Sequence, residues 1–193
     1  MSRPPPRTNW TRLVPHVLAQ RADARFALVG DGPLRADLER RVEALGVGHA
    51  VRFLGGLGGR HLVELFKSAD CVCVPSRSEP FGMVVLEAWA SGVPVVATAE
   101  GGLREFVNHG RDGFQVEPHP ASISWGILEV FSDFGKAREM GRRGRRKAEV
   151  HFNWDRIAEQ TERVYREVCP EEEALAYNSL RALERSIGHS SFA

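Results

Sequence analysis

The chain holds 193 residues, 42% of them hydrophobic and 26% charged, which is the size of one globular domain or of one domain with a tail. Its 26 Lys and Arg against 25 Asp and Glu leave a formal charge of +1, so no global field holds a nucleic acid or an anionic membrane. Three cysteines give neither a disulfide framework nor a zinc spacing, and seven scattered histidines show no metal spacing. The chain therefore reads as cytoplasmic and reducing, with no metal expected.

The opening residues lack the apolar core of a signal peptide, and no apolar stretch nears the roughly 18 to 20 residues of a bilayer span. Contact of one amphipathic face with a membrane surface stays open. From about residue 10 to residue 116, short apolar runs alternate with helical patterns, which predicts βα units and a parallel sheet with helices on both faces. Arg25 to Val29 reads as a buried strand, closed by Gly30-Asp31-Gly32-Pro33. Leu34, Leu38, Val42 and Leu45 then recur at helical spacing until Gly46. Val51 to Leu54 is the second strand, running into glycines 55, 56, 58 and 59 and a helical stripe of Leu62, Leu65 and Phe66. Cys71 to Val74 is apolar throughout, so it is expected at the centre of the sheet, its cysteines serving packing.

That third strand breaks at Pro75 into Ser76-Arg77-Ser78-Glu79-Pro80-Phe81-Gly82, and a helix follows from about Met83 to Ser91. Pro94 to Thr98 is the next strand, then the Gly101-Gly102 turn, a short helix over Leu103 to Asn108, and a last strand near Gly113 to Val116. Two helical segments around Gly135 fill 120 to 150, and Asn153 is a good N-cap for a further helix carrying Ile157, Tyr165 and Val168. Ala176, Leu180, Leu183 and Ile187 make a terminal stripe. Trp89 and Trp154 are expected to anchor helices. Arg138, Arg142, Arg143, Arg145, Arg146 and Lys147 read as a solvated helix face beside Glu139 and Glu149, not as a nucleic-acid site.

In an open parallel sheet, ligands sit outside the carboxyl ends of the strands, at helix N-termini. Here the loop after the third strand carries Glu79, and the first free N–H groups of the next helix belong to about Phe81, Gly82, Met83 and Val84. Those donors suit a phosphate or a sugar hydroxyl, Gly82 lets a ligand approach the backbone, and carboxylates such as Glu79 and Glu87 accept from paired ring hydroxyls. The spacing alone carries little, since Glu159 and Glu167 share it on a surface helix. Gly30-Asp31-Gly32 serves either a plain turn or a nucleotide contact. The run Gly55-Gly56-Leu57-Gly58-Gly59 lacks the dinucleotide spacing, so an NAD role is set aside.

Residues 74 to 98, Val-Pro-Ser-Arg-Ser-Glu-Pro-Phe-Gly-Met-Val-Val-Leu-Glu-Ala-Trp-Ala-Ser-Gly-Val-Pro-Val-Val-Ala-Thr, resemble the signature of retaining nucleotide-sugar glycosyltransferases of family 4, of the GT-B fold. Glu79 and Glu87 match its two glutamates with seven residues between them. Leu-Val-Gly-Asp-Gly-Pro at 28 to 33, Val-Arg-Phe-Leu-Gly at 51 to 55, Gly-Gly-Leu-Arg-Glu at 101 to 105, Asn-His-Gly-Arg-Asp-Gly-Phe at 108 to 114 and Phe-Asn-Trp at 152 to 154 agree in order and spacing. The resemblance implies a Rossmann-like, donor-binding C-terminal half of a two-domain enzyme. It further implies that Glu79 is the catalytic residue and contacts the donor sugar, that Phe81 to Val84 offer amides to sugar and diphosphate, and that Glu87 holds the ribose. Leu57, Gly30 and Gly32 would lie toward the base. No metal is implied, and the retained configuration follows a front-face reaction assisted by the donor phosphate. Family members begin this domain with a strand and a Gly-Arg…Lys-Gly segment, which residues 1 to 12 do not match.

The expected organisation is a disordered or remnant segment at 1–9, a Rossmann-like donor-binding domain at 10–168, and a C-terminal helix and tail at 169–193. The expected function is glycosyl transfer from a nucleotide-diphosphate sugar, completed by an N-terminal acceptor half or a partner chain. The alternative is a stand-alone nucleotide-sugar-binding or regulatory module, or one subunit of a split enzyme.

Overall fold

The computed structural model describes residues 10–169, and the chain divides into two compact units, Met1–Val150 and His151–Ala193. In the first, a 3-10 turn at Trp10–Arg12 leads into α1 (Leu13–Leu18), β1 (Phe26–Val29), α2 (Arg35–Ala44), β2 (Val51–Gly55) and α3 (Gly59–Ser68). There follow β3 (Val72–Val74), α4 (Met83–Ala90), β4 (Val95–Thr98), α5 (Gly102–Phe106), β5 (Gly113–Val116), α6 (Pro120–Ser132) and α7 (Phe134–His151). Every strand falls on an apolar run read from the sequence, because a segment covered by helices must be apolar on both faces. The expected 1–9 segment and the stripe from Ala176 to Ile187 lie outside the described residues.

All strand pairs are parallel, as expected, but they form two ladders, β1 with β2 and β3 with β4 with β5. β3 is thus the edge of its ladder and not the centre that its apolar run predicted. β4, bonded on both edges, is buried at all four positions, whereas Val72 and Cys73 of β3 are only half-buried. One apolar cluster still underlies both ladders. Leu13, Val14 and Val17 of α1, Val42 of α2 and Ile123, Ile127 and Val130 of α6 meet Phe26, Leu28, Val51 and Phe53 on one side and Val96 and Val116 on the other. Neither α3 nor α4 enters this cluster; they pack against one another, with α4 against β3 and β4.

α7 closes against α4 through two glycines. A Cβ at Gly141 would stand 2.1 Å from the Gly92 carbonyl oxygen, and one at Gly144 would stand 2.2 Å from Trp89 Cδ1. Trp89 is fully buried, as expected of an anchor, and its indole N–H donates to the Asp112 carbonyl at 2.8 Å. The α7 arginines behave as a solvated face, with Glu139 taking Arg142 at 2.8 Å and Arg143 at 3.1 Å, and Glu149 taking Arg145 at 2.8 Å. These guanidinium groups hold the Glu139 carboxyl below the usual carboxylate range. Lys147 departs from that reading. It turns inward to the buried Asp112 carboxylate at 3.1 Å, also donates to the Phe106 carbonyl, and lies 5.1 Å from the Trp89 ring centroid.

In the second unit, α8 (Trp154–Val168) starts where Asn153 predicts, the Asn153 side chain accepting from the Arg156 N–H at 2.8 Å. Trp154, expected to anchor this helix, is 78% exposed.

Two outcomes test this packing. Gly144→Ala forces a methyl into the Trp89 ring, which costs about 1–3 kcal/mol of stability and lowers Tm by about 2–4 °C per kcal/mol at this chain length. An unshifted melting curve would mean that α7 does not press on Trp89. Loss of solvent pushes the Cys73 thiol up to about 12 and holds Cys71 well above its ordinary value, the neighbouring Cys73 adding to the effect. Because the thiolate is the reactive form, an aromatic disulfide reagent at pH 8 should label the exposed Cys169 quickly and the other two only in denaturant. Three equal labelling rates in the native chain would contradict the burial of Cys71 and Cys73.

Candidate functional site

The loop between β3 and α4 is held almost wholly through main-chain groups. The buried Thr98, last residue of β4, donates from its hydroxyl to the Ser76 carbonyl at 2.5 Å. The Ser76 hydroxyl in turn donates to Glu79 Oε2 at 3.2 Å, which sets the direction of that half-buried carboxylate. The Gly102 N–H donates to the Glu79 carbonyl at 3.1 Å. Here the Gly101-Gly102 pair does more than turn the chain. A Cβ on Gly101, whose φ is +53°, would stand 2.1 Å from the Glu79 carbonyl oxygen, and one on Gly102 would stand 2.7 Å from that of Pro80. The two glycines form the seat on which Glu79 to Phe81 rest.

Gly82 is the N-cap of α4 in the left-handed region, at φ +93°, with its missing side chain facing Leu103 of α5. No side chain caps the helix, and no described residue accepts from the N–H groups of Met83 and Val84. Both carry exposed side chains, as does Phe81, whose ring lies 5.6 Å from that of Phe106. Val85, Leu86, Ala88 and Trp89 are buried, so the helix shows solvent one strip, on which Glu87 stands a turn beyond Met83.

Gly30, Gly32 and Leu57 lie at the carboxyl ends of β1 and β2, the corresponding end of the other ladder. The Gly30 N–H donates to the Gly55 carbonyl at 2.7 Å and so ties the two loops together. Asp31 and Glu39 hold Arg35 at 3.0 and 2.9 Å. Among the described residues no hydrogen bond or ion pair joins these loops to Glu79 or α4. The sequence expectation therefore separates into two groups, with Glu79, Gly82, Met83, Val84 and Glu87 together on one shelf and Gly30, Gly32 and Leu57 on a second. Ser76, Thr98 and the Gly101-Gly102 seat were missed as site components. Among the described residues no group of three or more His, Cys, Asp or Glu could hold a metal ion, and no helix is long and apolar enough to cross a membrane.

A free helix N-terminus beside a fixed carboxylate, at the carboxyl end of a parallel ladder, is the arrangement the comparisons with known proteins bear on. Residues 9–147 match the family described as glycosyl transferases group 1. The chain belongs to this family. It is 42% identical over 156 residues to an uncharacterised glycosyltransferase of Methanocaldococcus jannaschii, covering 80% of this chain and 40% of that protein. The structure of the Anabaena protein HepE in complex with UDP-glucose matches at TM-score 0.75 and 28% identity, over 87% of this chain and 48% of that one. The C-terminal domain of a glycosyl transferase group 1 family protein from Francisella tularensis matches at TM-score 0.68 and 22% identity, over 75% of this chain and 77% of that one, a likeness of fold. This group 1 glycosyltransferase chain thus spans 40% of the length of that curated relative, and its fold is one half of the GT-B architecture.

The seat makes a prediction for this group 1 chain. Gly101→Ala pushes on the Glu79 carbonyl and displaces the loop, so the Glu79 side chain leaves Ser76. Amide chemical shifts of Ser76 to Phe81 should move well beyond those of β5, with a stability loss of about 1–3 kcal/mol for the strained conformation. Unchanged shifts in that loop would show that the seat is not what holds it.

Proposed function

We propose that this chain is the donor-binding half of a retaining glycosyltransferase that moves a sugar from a nucleoside-diphosphate sugar to an acceptor. The observation that carries the reading is the α4 shelf, where Glu79, two unclaimed helix amides and Glu87 share one exposed edge. Phosphate oxygens are the natural partners of the Met83 and Val84 N–H groups, and the positive end of the α4 dipole adds about 0.3–1 kcal/mol in such exposed positions. Gly82 serves the shelf through its left-handed turn into α4, because its missing side chain faces Leu103 and not the side where a phosphate would lie, which corrects the expectation that it opens the backbone to a ligand. Glu87, a turn further along the same strip, accepts from the ribose hydroxyls. Glu79 accepts from hydroxyls of the transferred sugar and reads that sugar. Phe81 lines the same edge, while Gly30, Gly32 and Leu57 lie toward the base.

In the transfer, the bond from the anomeric carbon to the diphosphate oxygen breaks and a bond to the acceptor oxygen forms on the same face. The acceptor proton passes to the departing phosphate oxygen, which retains the configuration with no base from the chain. The HepE complex with UDP-glucose supports the donor class. The acceptor face comes from another half, since the chain spans 40% of its relative. The same observation supports the second reading, a nucleotide-sugar-binding module or one subunit of a split enzyme.

Isothermal titration with UDP and UDP-glucose separates the roles. Glu87→Ala should weaken both ligands by about 1.5–3 kcal/mol, roughly tenfold to a hundredfold, the range for a hydrogen bond to a charged group. Glu79→Ala should keep UDP affinity and lose the preference for UDP-glucose. Unchanged affinity for the first variant, or equal losses for both ligands in the second, refutes the assignment of that residue.

A further inference from the structure

Trp125 of α6 is 44% exposed, yet its ring is braced. The His109 imidazole stacks on it with centroids 6.0 Å apart and planes 6° from parallel, and Phe114 meets it edge-on at 5.7 Å. His109 is itself fixed, its Nδ1–H donating to the Gln115 carbonyl at 3.1 Å and its ring standing edge-on to Phe114 at 5.6 Å. Holding an indole in one orientation costs entropy, and leaving so much of it in water forgoes the burial that offsets the cost. A braced and exposed aromatic surface suits a ligand, because its ordering is complete before the ligand arrives.

Away from His109, Trp125 lines a groove of about 450 Å³ between α1 and α6, within the size range of ligand sites. On the α6 wall Trp125 and Glu129 stand one turn apart, and the other wall carries His16 of α1 and Gln20 just beyond its end. Half-buried Leu128 adds apolar surface. Among the described residues no hydrogen bond or ion pair takes the side chains of His16, Gln20 or Glu129. No Lys or Arg among them lines the groove, so nothing there holds a phosphate or other anion, and Glu129 repels one. The groove lies across the sheet from the α4 shelf, since α6 packs on Val96 and Val116 while α4 rests on β3 and β4 outside that cluster.

We propose that this groove binds a neutral saccharide, one pyranose ring stacked on Trp125 and its hydroxyls shared among Glu129, Gln20 and His16. A pyranose with equatorial hydroxyls has ring C–H groups on both faces, an apolar surface that matches an indole, and a rim of groups that both donate and accept. Glu129 accepts, Gln20 donates and accepts, and a neutral His16 imidazole does the same, so together they meet that mixed demand. A purely apolar occupant would strip water from these groups and return no hydrogen bond. The saccharide held here is not the one that reacts, because the donor reading puts the transferred sugar at Glu79 on the other face of the sheet.

The test titrates cellotriose into the full chain and reads amide and indole N–H chemical shifts. The Trp125 indole, assigned through Trp125→Phe, and the amides of Gln20 and Glu129 should move together with one affinity, while the Trp89 and Trp154 indoles and the amides of Ser76 to Val84 stay. Trp125→Ala should weaken binding about tenfold, the effect of losing an aromatic stacking face. Glu129→Gln and Gln20→Ala should each weaken it about twofold to tenfold. Both change exposed side chains, so the test stands even if Trp125→Ala disturbs the packing of Phe114. No movement of Trp125 at tens of millimolar cellotriose overturns the proposal, as do shifts confined to Ser76 to Val84, an equal response of Trp125 to uridine monophosphate, or variants that bind as well as the original chain. Trp125 shifts that grow with chain concentration without sugar also overturn it, by making a second copy the occupant. Cellotriose carries no nucleotide, so the result stands apart from the reading of the α4 shelf.

Discussion

Asp112 is 2% exposed, and a carboxylate in that position is tolerable only when it is paired and hydrogen-bonded. One oxygen takes the Asn108 N–H at 2.7 Å and the other takes Lys147 at 3.1 Å, while the residue's own carbonyl takes the Trp89 indole at 2.8 Å. Three elements meet here: α4 through Trp89, the turn ahead of β5 through Asp112, and α7 through Lys147. Removing one partner of such a pair costs about 3–5 kcal/mol, because the other charge is left buried and alone. The rotation of α4 about its own axis follows from where Trp89 is pinned. That rotation decides that Met83, Val84 and Glu87 face outward. The candidate site thus depends on an ion pair that touches none of its residues.

What the site presents is mostly backbone. Glycines let the α5 entrance press against the Glu79 to Phe81 main chain, and the Thr98 hydroxyl fixes the carbonyl of Ser76. Side chains enter only as the Ser76 and Glu79 pair and as Glu87. A loop held by its carbonyls keeps its path when exposed side chains such as Arg77 and Ser78 change, so the exposed positions are where variation is least disruptive.

The strands were legible because helices cover both faces, and that demands unbroken apolar runs such as Val95 to Thr98. The ends were legible where a polar or glycine residue has one mechanical use, as with Asn153 at the start of α8. The place of β3 was not, since apolar character reports covered faces and says nothing of whether an edge has a neighbour. Lys147 was misread on its charge. Its position seven residues after Met140 and three after Gly144, both buried, puts it beside the inward stripe of α7, and that phase was the available signal. The Gly101-Gly102 seat was read as a turn because two glycines in sequence do not show what lies against them. Trp154 shows the reverse error, a large aromatic whose size suggested an anchor and which stands exposed.

The division into two ladders bears on how the chain reaches this state. Phe26 pairs with Val51, Val72 with Val95, and Val95 with Gly113, so every ladder contact closes within a contiguous stretch of sequence. Each pairing is parallel and closes through a helical crossover, whose loop-closure entropy must be met before the ladder forms. The backbone pairings thus fall into two separate sets, one over residues 26 to 55 and one over 72 to 116. Their union rests on the apolar side chains of α1, α2 and α6 and of the strands they cover, with no ladder hydrogen bond across it among the described residues, so the junction is where local opening has the fewest backbone bonds to break.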